Sequence, residues 1–235
     1  MFTTSTLTRQ VYVVNMRGMA PGRDAYHHGD LRNALVSSAA RLIEREGSEA
    51  FSLREAAREV GVSANAAYRH FDDKAALMTA VAADGFERLS AHMQRFLDEA
   101  ARGPGAESPE VARFRAVGRA YVCFATEHPE LFRLMFGQCG ARCLRVAGER
   151  PGPTPWDHLG SALDALVVSG ALSPERRAGA ELKAWTVVHG FASLALDGHV
   201  PLSPGPERDA ALESVLDFAV QGLCGALASA GRRPS

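Results

Sequence analysis

The chain has 235 residues, 46% hydrophobic and 23% charged, enough to bury a proper core and close to soluble globular averages. Its four cysteines, Cys123, Cys139, Cys143 and Cys224, are too few for a disulfide framework at this length, and no secretory leader precedes them, so a reducing cytoplasm is expected. The net charge is -1, and Arg17 to Lys74 holds nine Arg/Lys against nine Asp/Glu, so total charge makes no case for nucleic acid and any such case rests on where the cations sit.

Residues 1–25 lack helical periodicity and are rich in Gly, Pro and small polar residues, which predicts a disordered arm. Met16 and Met19 both lie in it, and a chain starting at Met19 would read directly into the first helix. Tyr26, His27 and His28 stand before that helix, either over a DNA backbone or simply as its entry. From Asp30 to about Glu46, Leu31, Leu35, Ala39, Leu42 and Ile43 recur at helical spacing, with Asp30 as N-cap and Gly47 as the stop.

A second helix starts at Ser52, where Ser52-Leu53-Arg54-Glu55 has the form of a capping box and Leu53, Ala56, Ala57 and Val60 make one apolar stripe. Gly61 supplies a positive φ, Val62 plugs the joint, and Ser63 caps a third helix running to about Phe71. That is helix-turn-helix spacing. After Asp72-Asp73, a fourth helix carrying Leu77, Val81, Phe86, Leu89, Met93, Phe96 and Leu97 extends to about Ala101. Further helices are expected near 109–127, 129–137, 154–169, 174–197 and 206–229, with a loop rich in Gly and Pro over 137–155. The longest uncharged runs, Phe218 to Gly231 and Ala184 to Leu196, fall short of a bilayer span, and no membrane partner is expected.

In a helix-turn-helix the second helix enters the major groove with its N-terminal residues at the base edges. Ser63-Ala64-Asn65-Ala66-Ala67-Tyr68-Arg69-His70-Phe71 suits that position. It contains no acid, its alanines permit close approach, Asn65 can pair bidentately with adenine, and Tyr68, Arg69 and His70 can reach phosphate or base. Taken alone, Tyr68 and Phe71 read equally well as core aromatics.

The run from Phe51 to Leu77 resembles the DNA-binding head of the TetR/AcrR family, preceded at family distance by Tyr26-His-His-Gly-Asp-Leu-Arg32. The resemblance implies an all-α protein: an N-terminal three-helix helix-turn-helix DNA-binding domain, residues 26–75, then a helical effector-binding and dimerisation domain, residues 76–230. It implies that Ser52 and Arg54 lie near a phosphate and that Ser63, Ala64, Asn65 and Ala66 face bases. Tyr68 and His70 would clamp phosphates, Arg69 would do either, and Lys74 would contact the backbone. Asn65 stands where the family most often has glycine, a departure that bears on operator sequence.

The Trp185-Thr-Val-Val-His189-Gly190 stretch resembles the Trp-His-Gly subgroup of such bodies. Trp185, Val188, Ala192 and Ala195 make one helix face, with Gly190 admitting a close neighbour and His189 either a satisfied core histidine or an effector contact. Phe124, His128, Phe132, Met135, Trp156, Trp185 and His189 are the candidate effector residues, for a small apolar or drug-like molecule, although nearly any helical core would show such a list. The last helix carries Leu212, Val215, Leu216, Phe218, Ala219, Val220, Leu223 and Leu227, an arc broad enough to serve both the core and a second subunit, so a homodimer through the last two helices is expected.

The expected function is a ligand-responsive repressor acting as a homodimer on a pseudo-palindromic double-stranded operator. Two alternatives stand beside it: a redox- or metal-responsive regulator using Cys139 and Cys143, and a helical adaptor that does not bind DNA. No cofactor or metal is expected. An enzyme is not expected either, since the chain has no Gly-x-Ser-x-Gly elbow, no His-Glu-x-x-His and no phosphate-binding Gly-rich loop.

Overall fold

The computed structural model describes residues 23–103, 107–141, 152–200 and 205–225, the first eight of them as backbone only. The helices described from end to end are α1 (Arg23–Ala50), α2 (Leu53–Val60), α3 (Ala64–Tyr68), α4 (Lys74–Arg102), α5 (Pro109–Glu127), α6 (Pro129–Phe136), α7 (Pro155–Val168), α8 (Pro174–Arg177), α9 (Ala180–Leu196) and α10 (Pro206–Cys224), and residues 138–141, at the start of the loop expected over 137–155, are helical too. Among the described residues there is no strand, and the fold is all-α with an N-terminal helix-turn-helix. No helix of the described residues is long and apolar enough to cross a membrane.

Local chemistry sets most helix starts. Ser52, Ser63, Asp73, Ser108 and Thr154 each accept a backbone N–H at the opening of α2, α3, α4, α5 and α7. Thr154 and Asp157 complete a reciprocal capping box. At Ser52 only half of the expected box forms, because the Glu55 carboxylate turns to Arg58, 3.0 Å away.

Four expected boundaries are corrected. Helix α1 begins at Arg23, not Asp30, so Asp30 sits inside it; one interior glycine, Gly29, costs about 1 kcal/mol and does not stop a helix already nucleated. Gly47 (φ 82°) does interrupt it. Helix α3 ends at Tyr68, where the His70 amide reaches back only three residues to the Ala67 carbonyl and the last turn tightens. The single helix expected over 174–197 is two, α8 and α9, separated where Gly179 takes φ 70°. Helix α10 closes at Cys224. Of the arm expected over residues 1–25, residues 23–25 belong to α1, and residues 1–22, the side chains of Tyr26, His27 and His28, and Cys143 lie outside the described residues.

One apolar core runs from head to body. Leu35, Leu42, Phe51 and Leu77 are buried in the head, and Leu89, Phe124, Leu131, Met135, Leu163 and Leu166 in the body. Helix α4, 29 residues and about 43 Å long at 1.5 Å per residue, belongs to both, packing on α1 at one end and on α5, α6 and α7 along the rest. Two glycines permit close crossings: a Cβ on Gly85 would sit 2.6 Å from Met135 Sδ, and one on Gly118 would sit 2.5 Å from Leu216 Cδ2. Arg119 holds α10 against α5 through Glu213, with Nη2 to Oε2 at 2.7 Å.

Candidate nucleic-acid interface and ligand cavity

Helices α2 and α3 are joined by Gly61 in the left-handed region (φ 79°, ψ 26°), with the Val62 amide donating to the Ala57 carbonyl at 2.9 Å. This turn fixes α3 across α2 and buries Ala67 completely. The opposite side of α3 faces solvent: Ser63, Asn65 and Arg69 are exposed, Tyr68 is 44% exposed, and Ala64 and Ala66 are half-buried between them. Phe71 is buried, with the Arg32 guanidinium 5.0 Å over its ring. The two aromatics thus separate, Tyr68 outward and Phe71 into the core.

The acids of the supporting helix are drawn aside. Glu59 accepts from Ser38 at 2.9 Å and pairs with Arg45 at 3.2 Å, while Glu55 pairs with Arg58. The Ser38 hydrogen bond, then Arg45 and Arg41, hold the Glu59 carboxylate below its ordinary range and keep it ionised on the flank. No ion pair to Arg54 or Arg69 is seen among the described residues, and both are exposed. Ser52 Oγ and Ser63 Oγ accept from backbone amides at 3.2 Å, which leaves each hydroxyl proton to donate. His70 is half-buried beside them. Lys74 is differently employed: its ammonium donates to the Glu49 carbonyl at 2.9 Å and lies 5.6 Å over the Phe51 ring, tying the start of α4 to the end of α1.

The body encloses a cavity of about 500 Å³ between α4, α5, α7, α9 and α10. Of the seven residues proposed from sequence for an effector, Trp156 and Trp185 line it. Phe124 and Met135 are fully buried in the core. His128 caps the α5–α6 corner, with Nδ1 3.1 Å from Glu44. Phe132 and His189 line a smaller hollow of about 210 Å³ behind the cavity wall. Phe136 lines both hollows, and Tyr121 ties their walls together: its hydroxyl accepts from Trp185 Nε1 at 3.0 Å and lies 2.7 Å from His189 Nδ1. Burial lowers the His189 pKa and raises that of the Tyr121 phenol, so a neutral imidazole and a neutral phenol share this hydrogen bond.

Sequence reasoning missed Tyr121, Ser90 and His158. Ser90 donates to the Pro153 carbonyl at 2.5 Å and lies 3.0 Å from His158 Nε2, pinning α7 to α4 at the cavity edge. Ser90, Tyr121 and His158 sit singly among apolar neighbours, and no spacing marks them as a set. Gly190, expected to admit a close helix, has nothing within 4 Å of its would-be Cβ. Near it on α9, Leu182 and Leu194 are 59% and 47% exposed, and on α10 Phe218 is 68% exposed. Cys139 is half-buried and not in a disulfide.

An acid-free recognition helix held across a capped supporting helix, on a helical body with an internal cavity, defines a helix-turn-helix DNA-binding protein. The comparisons agree. Residues 35–81 match the model described as bacterial regulatory proteins, tetR family, and residues 114–219 match the tetracyclin repressor-like C-terminal domain. The chain belongs to the TetR family and is a DNA-binding transcription regulator of that family.

Among solved structures it is similar to a protein of unknown function from Rhodococcus sp. RHA1, with 32% identity, a TM-score of 0.65, and 85% of this chain and 98% of that one covered. A TetR family transcription regulator from Marinobacter aquaeolei VT8 shares the fold at 20% identity and a TM-score of 0.52, over 85% of this chain and 98% of that one. Among curated proteins, the nucleoid occlusion factor SlmA of Vibrio vulnificus is 32% identical over 107 residues, 45% of this chain. The chain spans about half the length of the curated relatives it matches, 51% in that case.

Proposed function

We propose that the protein is a ligand-responsive repressor that acts as a homodimer on a pseudo-palindromic operator. The observation that carries this reading is the outward face of α3, where Asn65, Tyr68 and Arg69 stand exposed while Glu55 and Glu59 are paired away on the flank. In this reading the head is residues 26–75 and the body residues 76–230. Asn65 reads a base in the major groove, with Ser63, Ala64 and Ala66 close to the base edges. Arg54, Tyr68, Arg69 and the Ser52 hydroxyl bind phosphates, and His70 supports them. Lys74 acts first as the strut to Glu49 and only through the field of its charge on DNA.

The dimer forms through α9 and α10, whose exposed Leu182, Leu194 and Phe218 are apolar surface that one chain leaves open. Two heads then address successive major grooves about 34–36 Å apart. A ligand in the cavity touches α4, the element shared by head and body, and so can favour a head separation that does not fit the operator.

Hydroxyl-radical footprinting on genomic sites selected by the protein tests this. The expected pattern is two protected half-sites related by a two-fold axis, one helical turn apart. A single protected half-site, or no site recovered above background, contradicts it.

A further inference from the structure

We propose that the body cavity takes an uncharged aromatic ligand with few hydrogen-bonding groups, and that it discriminates against ions of either sign. This rests on the reading of the cavity as the effector site. The space, about 500 Å³, is of the size that encloses a drug-like molecule.

The first ground is that the polar groups on the lining are already spent. Ser90 gives its proton to the Pro153 carbonyl. Thr154 gives its proton to Asp157 Oδ2 at 2.7 Å. The Trp185 indole N–H goes to the Tyr121 oxygen, and the same hydroxyl is hydrogen-bonded to His189 Nδ1. A ligand group that must be hydrogen-bonded when stripped of water therefore finds every hydroxyl on the described lining already partnered, and such a group is costly to bury.

The second ground is charge. Among the described lining residues the one charged group is Glu87, and it is exposed. Its sign opposes an anion, and its contact with solvent screens what it could offer a cation. An anion finds no cation on the described lining, and the ~2 kcal/mol that a ring face gives a desolvated cation is small beside the cost of stripping an ion of water.

The third ground is the wall itself. Phe86, Phe114, Tyr121, Phe136, Trp156 and Trp185 are on the lining, and all but Phe114 meet one another in edge and tilted arrangements: Phe86 to Phe136 at 5.5 Å and 82°, Trp156 to Trp185 at 6.2 Å and 84°. Rings set edge to face extend the same pattern to an aromatic guest, and such pairs add to simple area burial.

The test is a set of titrations on the full chain, read by probe fluorescence and calorimetry. N-phenyl-1-naphthylamine is the uncharged aromatic, and 8-anilinonaphthalene-1-sulfonate is the same framework with a sulfonate. Rhodamine 6G is the aromatic cation, and 1-decanol is an uncharged aliphatic competitor. The expected result is one N-phenyl-1-naphthylamine per chain, bound at least about tenfold more tightly than either ion and poorly displaced by decanol. Ala184→Phe, which fills the cavity, should abolish that binding. Trp156→Ala, at a half-exposed position where folding is not at stake, should weaken it.

Equal or tighter binding of either ion, ready displacement by decanol, or binding unchanged in both variants overturns the proposal. A separate titration of the operator complex keeps the two claims apart. Tight N-phenyl-1-naphthylamine binding without DNA release upholds the ligand class and sinks the repressor reading; release by an ion alone does the reverse.

Discussion

His128 Nδ1 lies 3.1 Å from the Glu44 carboxylate and joins the α5–α6 corner of the body to the last turns of α1 in the head. The contact sits on neither DNA nor cavity. Burial raises the Glu44 pKa more than His128 lowers it, so the carboxylate's charge is costly unless the histidine is there to meet it. The pair is therefore a candidate hinge point between the two halves, and His128→Ala should shift the balance of head positions. We expect operator affinity to change several-fold with the head's own fold intact, measured by anisotropy beside circular dichroism. Equal affinity would mean that the contact carries no coupling.

Buried histidines set the acid limit of the fold. His92, His158 and His189 each have a lowered pKa, in each case through burial first. A group with a lowered folded pKa contributes stability above its unfolded value, about 6.5 for histidine, and that stability is lost as pH falls through the window below it. The Tm should therefore drop between about pH 7 and about pH 5, where ordinary carboxylates still hold their charge. His158→Gln should flatten part of that slope. A Tm independent of pH over this range would contradict the neutral assignment.

Lys74 separates stability from affinity. Its donation to the Glu49 carbonyl and its place over Phe51 predict that Lys74→Met lowers stability by about 1 kcal/mol, while the salt dependence of DNA binding changes less than in Arg69→Ala. For Arg69→Ala a phosphate contact predicts a salt slope reduced by about 1. The reverse ranking would return Lys74 to the DNA surface.

The open faces of α9 and α10 predict the assembly. Phe218→Glu together with Leu194→Glu should give a monomer in light scattering and lose most operator affinity, because one head makes half the contacts. A dimer that survives both changes would put the interface elsewhere.

The helix-turn-helix was legible because it is written locally: Ser52 and Ser63 as caps, Gly61 at the turn, and Leu53, Ala56 and Ala57 as a stripe are all set within a few residues. The division of labour between Tyr68 and Phe71 was not, since it depends on how α3 lies across α2. Lys74 likewise had a partner 25 residues earlier in the chain that no local pattern signals. In the body, Trp156 and Trp185 reach the cavity, but Phe124, three residues beyond Tyr121 on α5, lies off it in the core. A one-residue change of helical phase moves a side chain by about 100°, and a helix as broadly apolar as α5, buried at Val117, Ala120, Tyr121, Val122, Phe124 and Ala125, carries no narrow stripe to fix that phase. The break at Gly179 was hidden because a lone glycine between alanines is tolerated inside a helix at a cost of about 1 kcal/mol and so does not by itself mark an end.

The most direct measurement is a fluorescence-anisotropy titration of the protein and its Tyr68→Ala and Asn65→Ala variants, on the promoter DNA flanking its own gene and on a scrambled duplex, at two salt concentrations. The expected result is saturable binding selective for the promoter with a steep salt slope, broadly weakened by Tyr68→Ala. Asn65→Ala should alter preference at particular bases by about 1–3 kcal/mol. Equal affinity for both duplexes at each salt concentration, unmoved by either substitution, would contradict the assignment of α3 as the reading helix.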